Sequence, residues 1–185
     1  MEDKQCNVIV DMETENTIQS KCEKIKFRRY KMDVLTHIKE EHEQFRNLMK
    51  EIENAAGEKK KELFRDLYAQ LHGHHEAEEH VVFPLVKEKA GEEDKEVVRE
   101  MIEEHSLGNY QFSVIEKTFV DNETWDAKFS VLKEVLEHHM KEEEDEFITL
   151  ARKVLPKEKL EEVLEEFEAV LEKKKKEKEK DLKQK

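Results

Sequence analysis

Four stretches of this chain place apolar residues at alternating steps of three and four, and a histidine interrupts each stretch. The first reads Leu35, Ile38, His42, Phe45, Met49 and Ile52, and the second Phe64, Leu67, Leu71, His74, Glu78, Val81 and Leu85. The third reads Val98, Met101, His105, Gly108, Phe112, Ile115 and Phe119. The fourth reads Trp125, Phe129, Leu132, Leu136, His139, Glu143, then Glu146 or Phe147, and Leu150. This spacing is the seam of an amphipathic helix, with one stripe turned to a core and the rest to water. It predicts helices over about 32–55, 58–89, 93–119 and 125–154.

The breaks between them carry their own signals. Gly57, after Ala55 and Ala56, suits a C-cap, Ala90-Gly91 marks a turn, and Asp121-Asn122-Glu123-Thr124 reads as an N-cap cluster. Pro84 lies inside the second helix, removes one backbone donor and predicts a bend there. Pro156 suits the first turn of a fifth helix, striped by Leu160, Val163, Leu164, Phe167, Val170 and Leu171. That helix is expected on the outside of the bundle or against a second copy, and the Lys/Glu run from Lys173 as a frayed, solvated end. The expected architecture is all-α: an antiparallel up-down four-helix bundle over 31–154, a polar extension over 1–30, and a C-terminal amphipathic helix with a charged tail over 155–185.

Composition narrows the function. Charged residues make up 44% of the 185 positions and only 4 Gly and 2 Pro interrupt the chain, which favours long helices over a turn-rich sheet. The net charge of −13 argues against nucleic acid and anionic membrane as partners. Cys6 and Cys22 form no CxxC pair, so neither a disulfide framework nor a thiolate metal site is expected. With no apolar run of spanning length and no signal-peptide core, the expected location is the cytoplasm. Val8-Ile9-Val10 is the one apolar run of the extension, and Met32 is a candidate start of translation.

The chemistry lies on the seams. His74 and Glu78 stand four apart, as do His139 and Glu143, so each pair stacks an imidazole and a carboxylate on one helix face. Glu40-Glu41-His42 and Glu103-Glu104-His105 precede these pairs, so the order His, then His-x-x-x-Glu, occurs twice, as duplication of a helical hairpin would produce. A single histidine on an apolar face is more often a hydrogen-bonded core residue than a ligand. Four of them together with two seam carboxylates are different. Buried carboxylates without partners cost several kcal/mol each, to order of magnitude, and no seam Lys or Arg stands ready to neutralise Glu78 and Glu143. Bound cations would do so. The donor set suits iron, manganese or zinc, the two carboxylates could each bridge two ions, and four histidines could terminate them, two per ion. His75 and His138 lie one residue off the seam, and His37, His72 and His80 also miss it. These five are expected to be solvated or to support the ligands from behind. No histidine has Glu three residues before it, as the ferritin-like motif requires, and His75-Glu76-Ala77-Glu78 is followed by Glu79, so the H-E-x-x-H zinc motif fails.

The segments EEHEQFRNLM, HHEAEEHVVFP, IEEHS and EHHMKEEEDEF, in this order, resemble the hemerythrin family, specifically its prokaryotic HHE cation-binding domains. The resemblance spans about residues 32–154. It implies two iron ions, carboxylate-bridged with an oxo or hydroxo bridge, held by His42, His74, Glu78, His105, His139 and Glu143. It also implies a small diatomic or peroxide ligand: oxygen, nitric oxide or peroxide, bound or reacted with in sensing, scavenging or detoxification. Oxygen carriers of the family place a second histidine on the third helix, four residues from the first. Here those positions are Met101 and Asn109. Either both ions are under-coordinated, or an off-seam side chain or water fills the gap, and long-lived oxygen carriage is not expected. Gly108 is expected to open space beside His105. Two further readings are an iron-binding or storage module without redox turnover, and a metal-free helical interaction protein.

Overall fold

The structure, a computed structural model, describes residues 32–184. The polar extension, with Val8-Ile9-Val10, Cys6 and Cys22, lies outside the described residues. Helix α1 is Val34–Asn54. Helix α2 has three consecutive parts: α-helical Gly57–Ala77, a π-helical turn Glu78–Val82, and α-helical Phe83–Lys89. Helix α3 is Lys95–Glu116. Helix α4 repeats the plan of α2, with Trp125–Glu142, a π turn Glu143–Phe147, and Ile148–Val154. Helix α5 comprises Lys157–Glu162 and, after Val163, Leu164–Lys183. The first four form the up-down bundle, with α5 outside it.

The seams supply the core. Leu35, Ile38, Met49, Ile52, Leu67, Val98, Ile115 and Leu132 are fully enclosed, and Phe64, Phe112, Trp125 and Phe129 pack ring against ring at one end. Asp33 caps α1 by accepting from the Thr36 backbone N–H at 2.8 Å, and it also accepts from Arg152 Nη1 at 3.0 Å. One carboxylate thus closes the start of α1 and ties it to the end of α4.

Several local expectations change. Ala55, in extended backbone, is the C-cap of α1, and Gly57 instead opens α2 with φ +54°, a left-handed conformation that a side chain would resist. The bend expected from Pro84 is a π turn that starts at Glu78. Its twin at Glu143 contains no proline, so proline is not its cause. The wider turn inserts one residue: Val81 is buried as expected, together with Val82, and the next buried seam position is Val86 in place of the expected Leu85, which is half-buried. In α4 the turn selects Phe147 over Glu146. Helix α3 stops at Glu116, and Phe119, expected on its seam, is 82% exposed in the following turn. At the start of α4 the cap cluster works through Asn122, whose carboxamide oxygen accepts from the Thr124 backbone N–H at 2.9 Å.

Helix α5 lies on the outside of the bundle as expected, with its apolar stripe on α2 and antiparallel to it, but the Lys/Glu run expected to fray stays helical to Lys183. Phe167, Leu171 and Leu182 are buried. Ala69, Gly73 and Ala77, spaced one turn apart on α2, are buried and give α5 a groove to enter. A Cβ on Gly73 would stand 2.6 Å from the Leu171 carbonyl oxygen. The lysines contribute stems as well as charge: Lys178 Nζ sits 4.5 Å over the Tyr68 ring, and Lys174 donates to Glu76 at 2.5 Å.

Candidate metal centre

Each bundle helix brings a histidine to one level of the core, and α2 and α4 add a glutamate at the first residue of each π turn. His42, His74, Glu78, His105, His139 and Glu143 are all 2% exposed or less. His42 Nε2 lies 3.1 Å from Glu143 Oε2, and His74 Nε2 lies 3.1 Å from Glu78 Oε1. His105 Nε2 lies 3.3 Å from Glu78 Oε2 and 3.2 Å from His139 Nε2. His139 Nε2 stands 3.7 Å from Glu143 Oε2. Each carboxylate therefore faces one histidine of the α1–α2 side and one of the α3–α4 side.

The opposite edge of each ring is held by another carboxylate. His42 Nδ1 pairs with Glu144 at 2.9 Å, His74 Nδ1 with Glu41 at 3.0 Å, His105 Nδ1 with Glu79 at 2.8 Å, and His139 Nδ1 with Glu104 at 2.9 Å. These pairs form a closed ring around the bundle. Glu41 on α1 holds the histidine of α2, Glu79 on α2 that of α3, Glu104 on α3 that of α4, and Glu144 on α4 that of α1. The glutamate before each single histidine and the glutamate after each His-x-x-x-Glu pair supply the four. An ionised carboxylate only accepts, so each Nδ1 carries the proton and each Nε2 turns a lone pair inward.

That arrangement calls for positive charge. The inward nitrogens of His42 and His74 and all four oxygens of Glu78 and Glu143 are buried with no hydrogen-bond partner. Lone pairs face lone pairs across 3.1 to 3.3 Å. Donors bound about 2.1 Å from one ion stand roughly 3.0–3.4 Å apart, depending on the coordination angle. The donor spacing fits a metal, and the donor types fit one bound by nitrogen and oxygen. Without metal, burial and the charge of Glu143 push Glu78 up to about 8. Glu143 is drawn well below the usual carboxylate range, because the charge that His42 and His139 take up without metal outweighs its burial. The pair thus holds a proton where a cation would neutralise it. Burial opposes a charge on His42 and His74, but the surrounding glutamates raise both above the usual histidine value. The hydrogen bond from His42, acting with Arg46 against the cost of burial, draws Glu144 down to about 2.

Two off-seam histidines behave differently. His138 has a 63% exposed side chain beside Glu104 and Glu142, as expected for a solvated residue. His75, expected to be solvated or supporting, is buried at 2% exposure. Its ring stacks on His105 with centroids 3.8 Å apart and meets His139 edge-on at 5.4 Å. Potential donor atoms of His75, His105 and His139 lie within 4.8 Å of one another, as do those of His42, His74, Glu78 and Glu143. The signal for His75 was present in the spacing. It follows Leu71 by four, and a core-facing stripe about 100° wide takes in both the third and the fourth position after an apolar residue. A strict single-file seam excludes it. Gly108 also departs from expectation: a Cβ there would touch Leu136 at 3.6 Å, an ordinary contact, so the residue backs onto α4 and opens no space beside His105.

Comparison with known proteins bears on the fold and the family. No curated protein matches the chain. A hemerythrin HHE cation-binding domain-containing protein from Mycobacterium kansasii is similar in structure, with a TM-score of 0.70 and 24% identity over 79% of this chain and 89% of that one. At that identity the likeness concerns the fold. The family model for the hemerythrin HHE cation-binding domain matches residues 33–151, which take in all four bundle helices and every inward histidine and glutamate. The chain therefore belongs to the hemerythrin HHE cation-binding domain family.

Proposed function

We propose that this protein is a non-haem di-iron protein that binds or reacts with a small ligand (oxygen, nitric oxide or peroxide) in sensing, scavenging or detoxification. His42, His74, His105 and His139 are the proposed nitrogen ligands, and Glu78 and Glu143 the carboxylates between the two ions. The observation that carries this reading is the set of inward lone pairs at coordination spacing, each histidine fixed from behind by its own glutamate. When bound, the iron pair supplies a redox-active place for a small ligand.

The protein's own groups would set the terms of that chemistry. The four outer glutamates orient the imidazoles and raise their basicity, which favours the more highly charged state of the metal. Phe83 stacks over His105 with centroids 5.5 Å apart, and Phe45 stands edge-on to His74 at 5.1 Å, so apolar walls limit water near the ligands. Met101 and Asn109 supply no further imidazole from α3, where an oxygen carrier of the family places one. An iron-binding or storage role without turnover draws support from the enclosure of every proposed ligand, with Phe167 of α5 edge-on to His74 at 6.2 Å.

The test is anaerobic purification with metal analysis, followed by mixing the reduced protein with oxygen, nitric oxide and peroxide under a visible spectrometer. Two irons per chain and rapid passage to a ferric state are expected. A coloured oxygen adduct that returns to the ferrous form over repeated cycles would indicate a carrier. Iron that reacts with none of the three would favour storage, and absence of metal would favour an interaction protein.

A further inference from the structure

We propose that His75 is a fifth imidazole ligand, so that the two metal positions are unequal: His75, His105 and His139 serve one, and His42 and His74 the other. This rests on the dinuclear reading above and adds an asymmetry that the duplicated sequence pattern does not contain.

The observations concern this one side chain. Four inward histidines each spend Nδ1 on a glutamate. His75 has none: both its ring nitrogens are buried with no hydrogen-bond partner. An imidazole enclosed in a core with neither nitrogen satisfied is unfavourable, and a residue kept there needs a partner that the protein atoms do not supply. A donor atom of that ring falls in one cluster with donors of His105 and His139. Stacking on His105, with the planes only 10° apart, and the edge-on contact with His139 restrict how the ring can turn. The nitrogen lone pairs lie in the ring planes, so the His75 ring reaches an ion shared with His105 by tilting out of this stack.

The other repeat shows that this is one-sided. With His74–Glu78 set over His139–Glu143, the residue following the first histidine is His75 in one repeat and Met140 in the other. Met140 is equally buried, at 1% exposure, and belongs to the apolar core. The pseudo-two-fold that relates the other ligands therefore exchanges an imidazole for a thioether. Carboxylate and imidazole donors suit iron, and a thioether is a softer donor that they do not match. The position with three imidazoles is the more saturated. The position of His42 and His74 has the fewer imidazoles.

Zinc-loaded, 15N-histidine-labelled protein provides a readout that is independent of activity. Long-range proton–nitrogen spectra should show one metal-bound nitrogen on His75, and five metal-bound imidazoles in all. Four metal-bound imidazoles with His75 free would overturn the proposal. The iron-loaded protein gives a second measurement, in which H75Q and H75L are challenged with a chelator. Loss of one of the two irons at least about ten-fold faster than from the parent is expected. If H75L holds both irons as firmly as the parent does, His75 is only a core residue. A parent protein that binds no metal at all would remove the dinuclear reading, and this proposal with it, before any variant is made.

Discussion

At the scale of single residues, the centre depends on pairs in which one member sets the state of the other. Glu41 and Glu104 accept from Nδ1 of His74 and His139 and so turn the lone pair of the neutral ring inward. Replacing either with Gln removes the charge and presents an amide that can also donate, so the ring loses its fixed tautomer. E41Q and E104Q should lower iron affinity by about 10- to 100-fold, measured by competition with a chelator, while H138A should leave it unchanged because that side chain is solvated. The titration of the metal-free protein follows from the same groups. Glu78, with its pKa near 8, holds a proton in the fold that the unfolded chain has already released at its ordinary value of 4.5. His42 and His74 are raised above 6.5 and likewise bind protons more tightly when folded. A group whose folded pKa is raised loses its stabilising contribution as pH climbs through that value. His75 and His105 are depressed by burial and by neighbouring imidazoles, so they act in the opposite sense, with an effect that fades as pH rises past 6.5. The chelated protein should therefore melt at a lower temperature at pH 8 than at pH 6.5, read by circular dichroism. A melting temperature that holds or rises over that interval would contradict the assignment.

At the scale of elements, the paired π turns and the α2–α5 contact decide what the helices can present. Each π turn starts at an inward glutamate, and in α2 the buried line after it passes to Val82 and Val86, so the carboxylate and the apolar residues beyond it both reach the core. Sequence periodicity assumes one constant turn and could not anticipate an inserted residue. The two buried glycines separate close packing from mere smallness. Gly73→Ala would force a methyl against the Leu171 carbonyl, and backbone cannot swing aside. This should outweigh the helix-propensity gain of roughly 1 kcal/mol and leave a net loss on the order of 1–2 kcal/mol from overpacking. Gly108→Ala places its methyl at ordinary contact with Leu136, so the propensity gain should survive and stabilise the fold by up to about 1 kcal/mol. Urea unfolding of the two variants should give midpoints displaced in opposite directions.

At the scale of the whole molecule, the fold encloses six inward donors whose mutual repulsion only a cation or proton relieves. Metal bound only to the folded chain adds stability by linkage, about 4 kcal/mol when its free concentration is a thousand times its dissociation constant. For a domain of this size, that corresponds to a melting shift on the order of 10 °C on chelation. Differential scanning calorimetry of loaded and chelated protein measures it, and equal melting temperatures would mean that the donors hold no metal. Helix count, the internal duplication and the level of each seam histidine were all legible in the sequence, because a constant helical turn converts spacing directly into one face of a helix. The closed ring of glutamates was present only as the unexplained doublets around Glu41, Glu79, Glu104 and Glu144, since a side chain's partner on another helix leaves no trace in its own helix's period. Tertiary structure alone decided three matters. It placed α5 on α2, where small residues and long lysine stems let a highly charged helix dock. It turned Gly108 from an expected opening into a packed contact. It also buried His75 and exposed His138, each one residue from its seam, because His75, one step after the seam of α2, turns inward onto His105 and His139, while His138, one step before the seam of α4, turns outward beside Glu104 and Glu142.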